Sequence, residues 1–375
     1  MKKFLFAAAI ALVGLASCTS RRNNEIVILT PAEEMRMRLD TLQHQGLMYG
    51  HQDDPFYGVT WSWEDGRSDT KELVGDYPAV MGFDLGGIEL GDSVNLDTVP
   101  FEWIRNEAIA HYSRGGFITF SWHPRNPRTG GNAWDVSDTT VVHSILPGGD
   151  LHDKFEGWMA NVAAFLKTIK TADGISIPFV LRPWHEYNGS WFWWGQRLCS
   201  DDDYKALWCM FQDYMNKEMP RNILWGFSPN LQGDWTEEDF LRRYPGNDRV
   251  DLIGCDAYQW GTEEDFVTGF TADVAFLSGY AMSAKKIFAV TECGMQNSPT
   301  PDWWSRIFMP CIDPYTVCYF LPWRNWHADH FGASKDVSTA DDFKNLYKAK
   351  RFKILPDIAD SFGFTGRSSS EIIWM

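Results

Sequence analysis

Eight short apolar runs recur along the chain, at 47–51, 79–84, 116–123, 178–185, 223–230, 251–258, 287–292 and 317–323, and each ends in polar or aromatic side chains. Segments with helical spacing separate them, among them 101–114, 153–170, 202–217, 263–284 and 339–352. A further helix is expected at 31–45, with Met35, Leu39 and Leu42 on one face. Runs that are apolar at nearly every position suit strands buried on both faces, as in a parallel sheet covered by helices. Eight strand-plus-helix units in one chain predict a single (β/α)8 barrel. Asp202 and Thr262 stand where helix N-caps belong, and Gly115 and Gly174 just past helix ends. Long loops are expected at 52–68, 85–100 and 325–338, after the first, second and eighth strands, where they would shape a cleft.

A barrel of this kind builds its active site at the C-terminal ends of its strands. The residues there are unusual: Gly50-His51-Gln52-Asp53, Ser121-Trp122-His123-Pro124, Trp184-His185-Glu186, Ser228-Pro229-Asn230, Asp256-Ala257-Tyr258, Thr291-Glu292-Cys293-Gly294 and Pro322-Trp323-Arg324-Asn325. Two are glutamates, on the fourth and seventh strands. One glutamate at a strand end could be half of a structural ion pair. Two on facing strands match what a retaining glycosidase needs, a proton donor and a nucleophile about 5–5.5 Å apart. The stretch around the first, 184–195, adds an imidazole, an amide and four tryptophans. A buried core has little use for Glu186 among so many indole rings, whereas a sugar site does.

Composition narrows the ligand. Aromatic residues make up 15% of the chain, with 19 Trp, and the formal net charge is −16. Nucleic acid needs a basic footprint, which this balance excludes; a neutral polysaccharide needs none. His51, His123 and His185 could suggest a metal, but no HExxH or close His/Asp triad is present, so neither metal nor cofactor is expected. Asp201-Asp202-Asp203 lacks the spacing of a calcium loop and reads as the acidic first turn of a helix. Six cysteines beyond Cys18 show no metal-finger spacing, and sequence alone does not pair them.

The motif Trp-His-Glu-Tyr-Asn-Gly-Ser-Trp-Phe-Trp-Trp-Gly (184–195) resembles that of glycoside hydrolase family 26, whose best-known members are β-mannanases. Ser-Trp-His-Pro (121–124), Thr-Glu-Cys-Gly (291–294) and Trp-Arg-Asn (323–325) support the resemblance by order and spacing, and it covers most of the chain after Pro31. The resemblance implies a retaining hydrolase of β-1,4-mannan or manno-oligosaccharides, with Glu186 as acid/base and Glu292 as nucleophile. It further implies that His185 binds near the sugar at the nucleophile and that Tyr258 holds Glu292. Trp323 would floor the −1 subsite, Arg324 would reach the −2 sugar, and His123 and Trp191 would line −1 and +1. Elementary electrostatics agrees, since apolar rings such as Trp184, Trp191 and Trp193 would disfavour a charged Glu186, while a nucleophile wants donors such as Tyr258. Trp194 is expected only to support its neighbours. Endo cleavage is favoured over release of mannobiose from chain ends. The same machinery on another β-glucan or a β-xylan is the nearest alternative, and a non-catalytic glycan-binding lipoprotein the alternative of another class.

The N-terminus begins with Lys2 and Lys3, an apolar stretch and then Leu15-Ala16-Ser17-Cys18. This has the parts of a signal peptide, and its end resembles a lipobox with Cys18 as the lipidated residue. An ordinary secreted protein cut near Cys18 is the alternative. The expected organisation is a lipoprotein signal peptide at 1–17, a tether at 18–30 and the catalytic barrel at 31–375. No acidic pair follows Cys18, so the expectation is an outer-membrane lipoprotein of a Gram-negative-type bacterium. It would face the periplasm, touch the membrane only through its lipid, and act as a monomer.

Overall fold

The computed structural model describes residues 19–22 and 25–359. The expected signal peptide and Cys18 lie outside the described residues. Where a tether was expected, Thr19–Arg22 and Glu25–Ile28 pair as a two-stranded antiparallel sheet. No helix among the described residues is long and apolar enough to cross a membrane.

Each of the eight apolar runs supplies one barrel strand. They are β1 (Met48–Gln52), β2 (Val80–Asp84), β3 (Phe117–Ser121), β4 (Phe179–Arg182), β5 (Ile223–Phe227), β6 (Leu252–Tyr258), β7 (Ile287–Gly294) and β8 (Tyr319–Pro322). The strands follow chain order around a closed barrel in which every neighbouring pair is parallel, and β8 closes on β1. The register slips once between β6 and β7, at Cys255/Asp256, which sets Asp256 opposite Glu292. Such irregularities re-aim side chains and gather near active sites.

The helices are α1 (Pro31–Gln43), α2 (Asp69–Val74), α3 (Phe101–Ser113), α4 (Val141–Ile145), α5 (His152–Leu166), α6 (Asp201–Glu218), α7 (Glu237–Arg243), α8 (Glu263–Ser283), α9 (Met309–Ile312), α10 (Ala340–Lys348) and α11 (Leu355–Ala359). A 3-10 turn lies at Ile88–Leu90 and a π-helical turn at Trp303–Phe308. Helix α1 starts with a capping box, Thr30 and Glu33 each satisfying the other's backbone N–H. Its Met35, Leu39 and Leu42 pack with Met48, Val80, Phe117, Val180, Leu224, Leu252 and Ile287 from the strand starts, so α1 stoppers the N-terminal end of the barrel.

Some local expectations are corrected. The N-cap of α6 is Ser200, whose hydroxyl accepts from the Asp203 N–H, and Asp202 lies inside the first helical turn. Thr262 does cap α8, and Gly115, at φ +97°, follows α3. Gly174 ends no helix: α5 stops at Leu166, and Gly174 donates to Thr171 in a later turn. The loops after β1, β2 and β8 are long as expected, but a further long connection runs over 122–151 after β3, broken only by α4. The apolar periodicity that marks helices and strands gives no signal for such a loop.

Candidate active site

Strand β4 stops at Arg182, and the chain then turns sharply. Trp184 and Glu186 both hold left-handed backbone, at φ 55° and 52°, a conformation that costs non-glycine residues of order 1–3 kcal/mol. The turn is pinned where the Glu186 N–H donates to Ser228 O at 2.8 Å. It leaves the Glu186 carboxylate buried, with Trp191 Nε1 donating to Oε2 at 2.7 Å and Asn230 Nδ2 donating to Oε1 at 3.1 Å. Asn188 accepts from the Asn230 backbone N–H at 2.9 Å and fixes that partner.

Glu292, on β7, is just as buried but has different company. Arg182 Nη2 donates to Oε1 at 2.5 Å and the Tyr258 hydroxyl to Oε2 at 2.8 Å. Arg182 also donates to Ser228 Oγ at 2.6 Å and reaches both Asp256 oxygens at 3.3 Å. Its guanidinium therefore lies between Asp256 and Glu292, and that pairing outweighs burial and raises its pKa. Two glycines make this possible: a Cβ at Gly226 would lie 2.8 Å from Arg182 Cγ, and one at Gly254 would lie 2.4 Å from Thr291 Oγ1, the hydroxyl that donates to Asp256.

One carboxylate oxygen from each of Glu186, Asp256 and Glu292 lies within 4.8 Å of the others. At that distance burial and the charge of Glu292 push the Glu186 carboxyl up to about 7, against the opposing pull of Asn230 and Trp191. Asp256 is also raised, first by burial, with Arg182 opposing. Arg182 thus supplies the positive charge beside Asp256 and Glu292.

A second chain of contacts enters from β2 and β3. Asp84 Oδ2 is 2.7 Å from His123 Nδ1, and His123 Nε2 is 3.1 Å from His185 Nε2. Burial works against a charged His123, but Asp84 overrides it and the pKa rises. The pKa of His185 falls well below the usual range through burial, His123 and Arg182. Of the two rings His123 is the more readily protonated, and His185 Nε2 lies 3.8 Å from Glu292 Oε1. The Trp323 ring lies 5.9 Å from His123, and Arg324 pairs with Asp97 at 3.0 Å and Asp329 at 3.7 Å.

The structure brings Glu186, Glu292, His123, His185, Trp191, Tyr258 and Trp323 together, with Arg324 on the adjoining loop. It corrects the roles of three tryptophans: Trp191, expected to disfavour a charged Glu186, donates to its carboxylate and pulls its pKa down, and Trp184 and Trp193 lie in the core. The rings of Trp184 and Trp193 pack on each other at 5.5 Å, and Trp184 meets Trp122 and Phe211 in the core. The Trp193 Nε1 donates to Pro124 O. The indole that touches Glu186 is Trp191. Trp194 supports the site as expected, its Nε1 donating to His185 O at 2.9 Å.

Sequence reasoning assigned no role to Arg182, Asn230, Asp84, Asp256 or Trp134, whose ring stacks on His123 at 5.2 Å. Arg182 carried a signal, since a lone cation inside an apolar strand needs a buried anion.

Known proteins share the fold and part of the sequence. A 356-residue alignment with a mannan endo-1,4-beta-mannosidase of Bifidobacterium adolescentis is 32% identical and covers 84% of this chain but 35% of that protein, so the chain spans about a third of its length. A mannan endo-1,4-beta-mannosidase of Bacillus subtilis is 30% identical over 71% of each chain. The solved structure of a family 26 β-mannanase from Bacteroides ovatus superposes with a TM-score of 0.85 at 39% identity, covering 90% of this chain and 98% of that one. Residues 30–351 match the model of glycosyl hydrolase family 26, and the chain belongs to that family.

Proposed function

We propose that the protein is a retaining endo-β-1,4-mannanase. The observation that carries this reading is the Glu186–Glu292 pair, whose oxygens approach within 4.8 Å while their surroundings differ in sign. That separation suits a covalent double displacement, and the wider gap of about 6.5–9.5 Å in inverting enzymes leaves room for a water. Glu186, raised to about 7, keeps its proton up to the edge of neutral pH. Glu292 has both oxygens met by donors, the surroundings a carboxylate nucleophile wants.

In the first step a Glu292 oxygen attacks the anomeric carbon while Glu186 gives its proton to the glycosidic oxygen. The C1–O bond breaks and a glycosyl ester forms. Ester formation removes the charge on Glu292, which was holding the pKa of Glu186 up, so Glu186 becomes the base the second step needs. It takes a proton from water, the hydroxide attacks C1 from the side the leaving group vacated, and Glu292 departs with overall retention. Trp323 floors the sugar undergoing reaction, whose oxocarbenium charge an indole face favours. His123 and His185 bind its hydroxyls, Arg324 the next sugar towards −2, and Trp191 the +1 sugar.

Azide rescue tests the two roles separately. An activated mannoside, whose leaving group departs without a proton donor, is expected to give a β-mannosyl azide with Glu186→Ala and azide, because azide then attacks the ester from the water side. Glu292→Ala with azide and an activated mannoside is expected to give the α-azide, because azide replaces the nucleophile. The opposite configurations would exchange the two assignments. A timed product profile from mannohexaose and galactomannan tests endo action, and early release of mannobiose alone would replace it with a chain-end mode. Faster cleavage of a β-glucan or β-xylan would move the substrate class.

We further propose that the mature protein is a monomeric lipoprotein carried by Cys18 in the outer membrane, facing the periplasm. The reading rests on Leu15-Ala16-Ser17-Cys18 after a charged and apolar start. Cys18→Ala is expected to release the enzyme into soluble fractions, and protease added to intact cells is expected to leave the wild type uncut.

A further inference from the structure

On the flank of the barrel a groove of about 510 Å³ runs between α3 and the loop that follows β1, and no residue of the carboxylate site lines it. Trp103, Asn106 and Ala110 on α3 and Arg114 just past its end form one wall, spaced by three and four residues along a single face. Trp63, Glu64, Asp65 and Tyr77 belong to the other wall.

Two tryptophans stand at the rim with much of their surface open, Trp63 at 37% and Trp103 at 43%, their rings 5.9 Å apart. Exposed apolar rings bordering a polar groove mark binding surfaces. Trp63 is also held where a bulky residue rarely sits, at φ +63°. Its N–H donates to Phe56 O at 2.8 Å, and the rings of Tyr57 and Trp326 pack against it. The loop therefore holds this indole in a disfavoured conformation that leaves it part open.

The cations of the groove are already engaged. Arg114 pairs with Glu107 at 2.7 Å and lies over the Tyr77 ring; Lys71 lies over the same ring and donates to Gly66 O at 3.3 Å. In a chain of net charge −16, such a groove does not suit an anion. Indole rings flanked by the Asp65 carboxylate and the Asn106 amide suit a neutral polyol with apolar C–H faces and hydroxyl edges. Trp326 joins the groove to the cleft, since it packs on Trp63 and lies two residues beyond Arg324.

We infer that this groove is a second glycan site, which takes a β-1,4-linked mannosyl segment outside the cleft and holds the polymer close to the carboxylates. The inference rests on the mannanase reading above. Its test uses Trp103→Ala and Trp63→Ala, each alone and each in a Glu292→Ala background. In that inactive background, retardation in native gels containing soluble galactomannan is expected to weaken by roughly two- to tenfold, the value of one lost ring contact. In the active enzyme, KM for galactomannan is expected to rise by a similar factor while kcat and KM for mannotetraose stay unchanged. Unchanged retardation and KM in both variants would overturn the inference. So would equal losses on tetraose and polymer, which would place the effect in the cleft. Failure of the mannanase reading is seen separately, as a wild type that cuts neither substrate; the Trp dependence of retardation then decides the groove alone.

Discussion

The two ends of the barrel are built from the same strands and hold opposite interiors. Along β4, Val180 lies below Arg182; along β6, Leu252 lies below Asp256; along β7, Ile287 lies below Glu292. At the bottom, buried apolar side chains close against α1, and any of several shapes would serve because burial of apolar area is non-directional. At the top, equally buried groups are charged, each needs a specific partner, and two residues hold left-handed backbone. A few residues along one strand, the physical task changes from excluding water to compensating charge. The bottom gives the fold its stability, and the top is kept in place by that stability.

The largest expected effect breaks the top without touching the bottom. Glu186→Ala is expected to lower kcat on mannan by roughly 10²- to 10⁴-fold, the usual worth of a positioned proton donor. Glu292→Ala is expected to lose at least as much. Glu186→Ala should not lower the melting temperature, because it removes a carboxyl held beside the charge of Glu292; Glu292→Ala leaves Arg182 Nη2 and the Tyr258 hydroxyl without their acceptor and should melt earlier. Initial rates and thermal melts on the same preparations check this. A variant that melts early and keeps its rate would reverse the assignment of roles to the two ends.

The complementary change is at the bottom. Phe117→Ala should cost about 3–5 kcal/mol in denaturant unfolding, the usual cavity cost, while kcat per folded molecule stays at the wild-type value. Arg182→Met falls between the two cases. It leaves Asp256 and Glu292 without their buried cation, so a loss of about 3–5 kcal/mol is expected together with loss of activity. The sign with pH is definite. The pKa of Asp256 is raised, so it takes a proton readily as pH falls, and the stability deficit of Arg182→Met should shrink in acid. A deficit independent of pH would mean that Arg182 acts through packing alone.

The contrast between the ends also explains what could be read from sequence. The eight strands were legible because a strand buried on both faces has to be apolar nearly throughout, and Glu186 and Glu292 stood out where that rule breaks. Arg182, Asp84 and Asn230 break it too, but their meaning lies in partners on other strands, and spacing along one chain does not give the slip at Cys255/Asp256 that sets Asp256 opposite Glu292. The tryptophans of 184–195 were equally ambiguous. Trp184 and Trp193 read as neighbours of Glu186 by adjacency, yet left-handed φ at 184 and 186 turns the chain so that Trp191, five residues on, reaches the carboxylate. Backbone strain of that kind leaves no mark on apolar periodicity.

The smallest expected effect is at that contact. Glu186 must be protonated for the first step, so with its pKa near 7 the value of kcat/KM should fall as pH rises through about 7. The Trp191 N–H favours the charged carboxylate. Trp191→Phe removes that donor and should raise the pKa, moving the alkaline limb to higher pH. One net hydrogen bond of about 0.5–1.5 kcal/mol corresponds to roughly one pH unit at most. Folding follows the same sign. With its folded pKa raised above the ordinary 4.5, Glu186 contributes stability that is full below that value and lost as pH rises through about 7. In Trp191→Phe that loss should also come later. A pH–rate profile of kcat/KM for wild type and variant reads the shift. A variant with weaker binding but an unmoved limb would make Trp191 a wall of the +1 subsite with no hold on the proton.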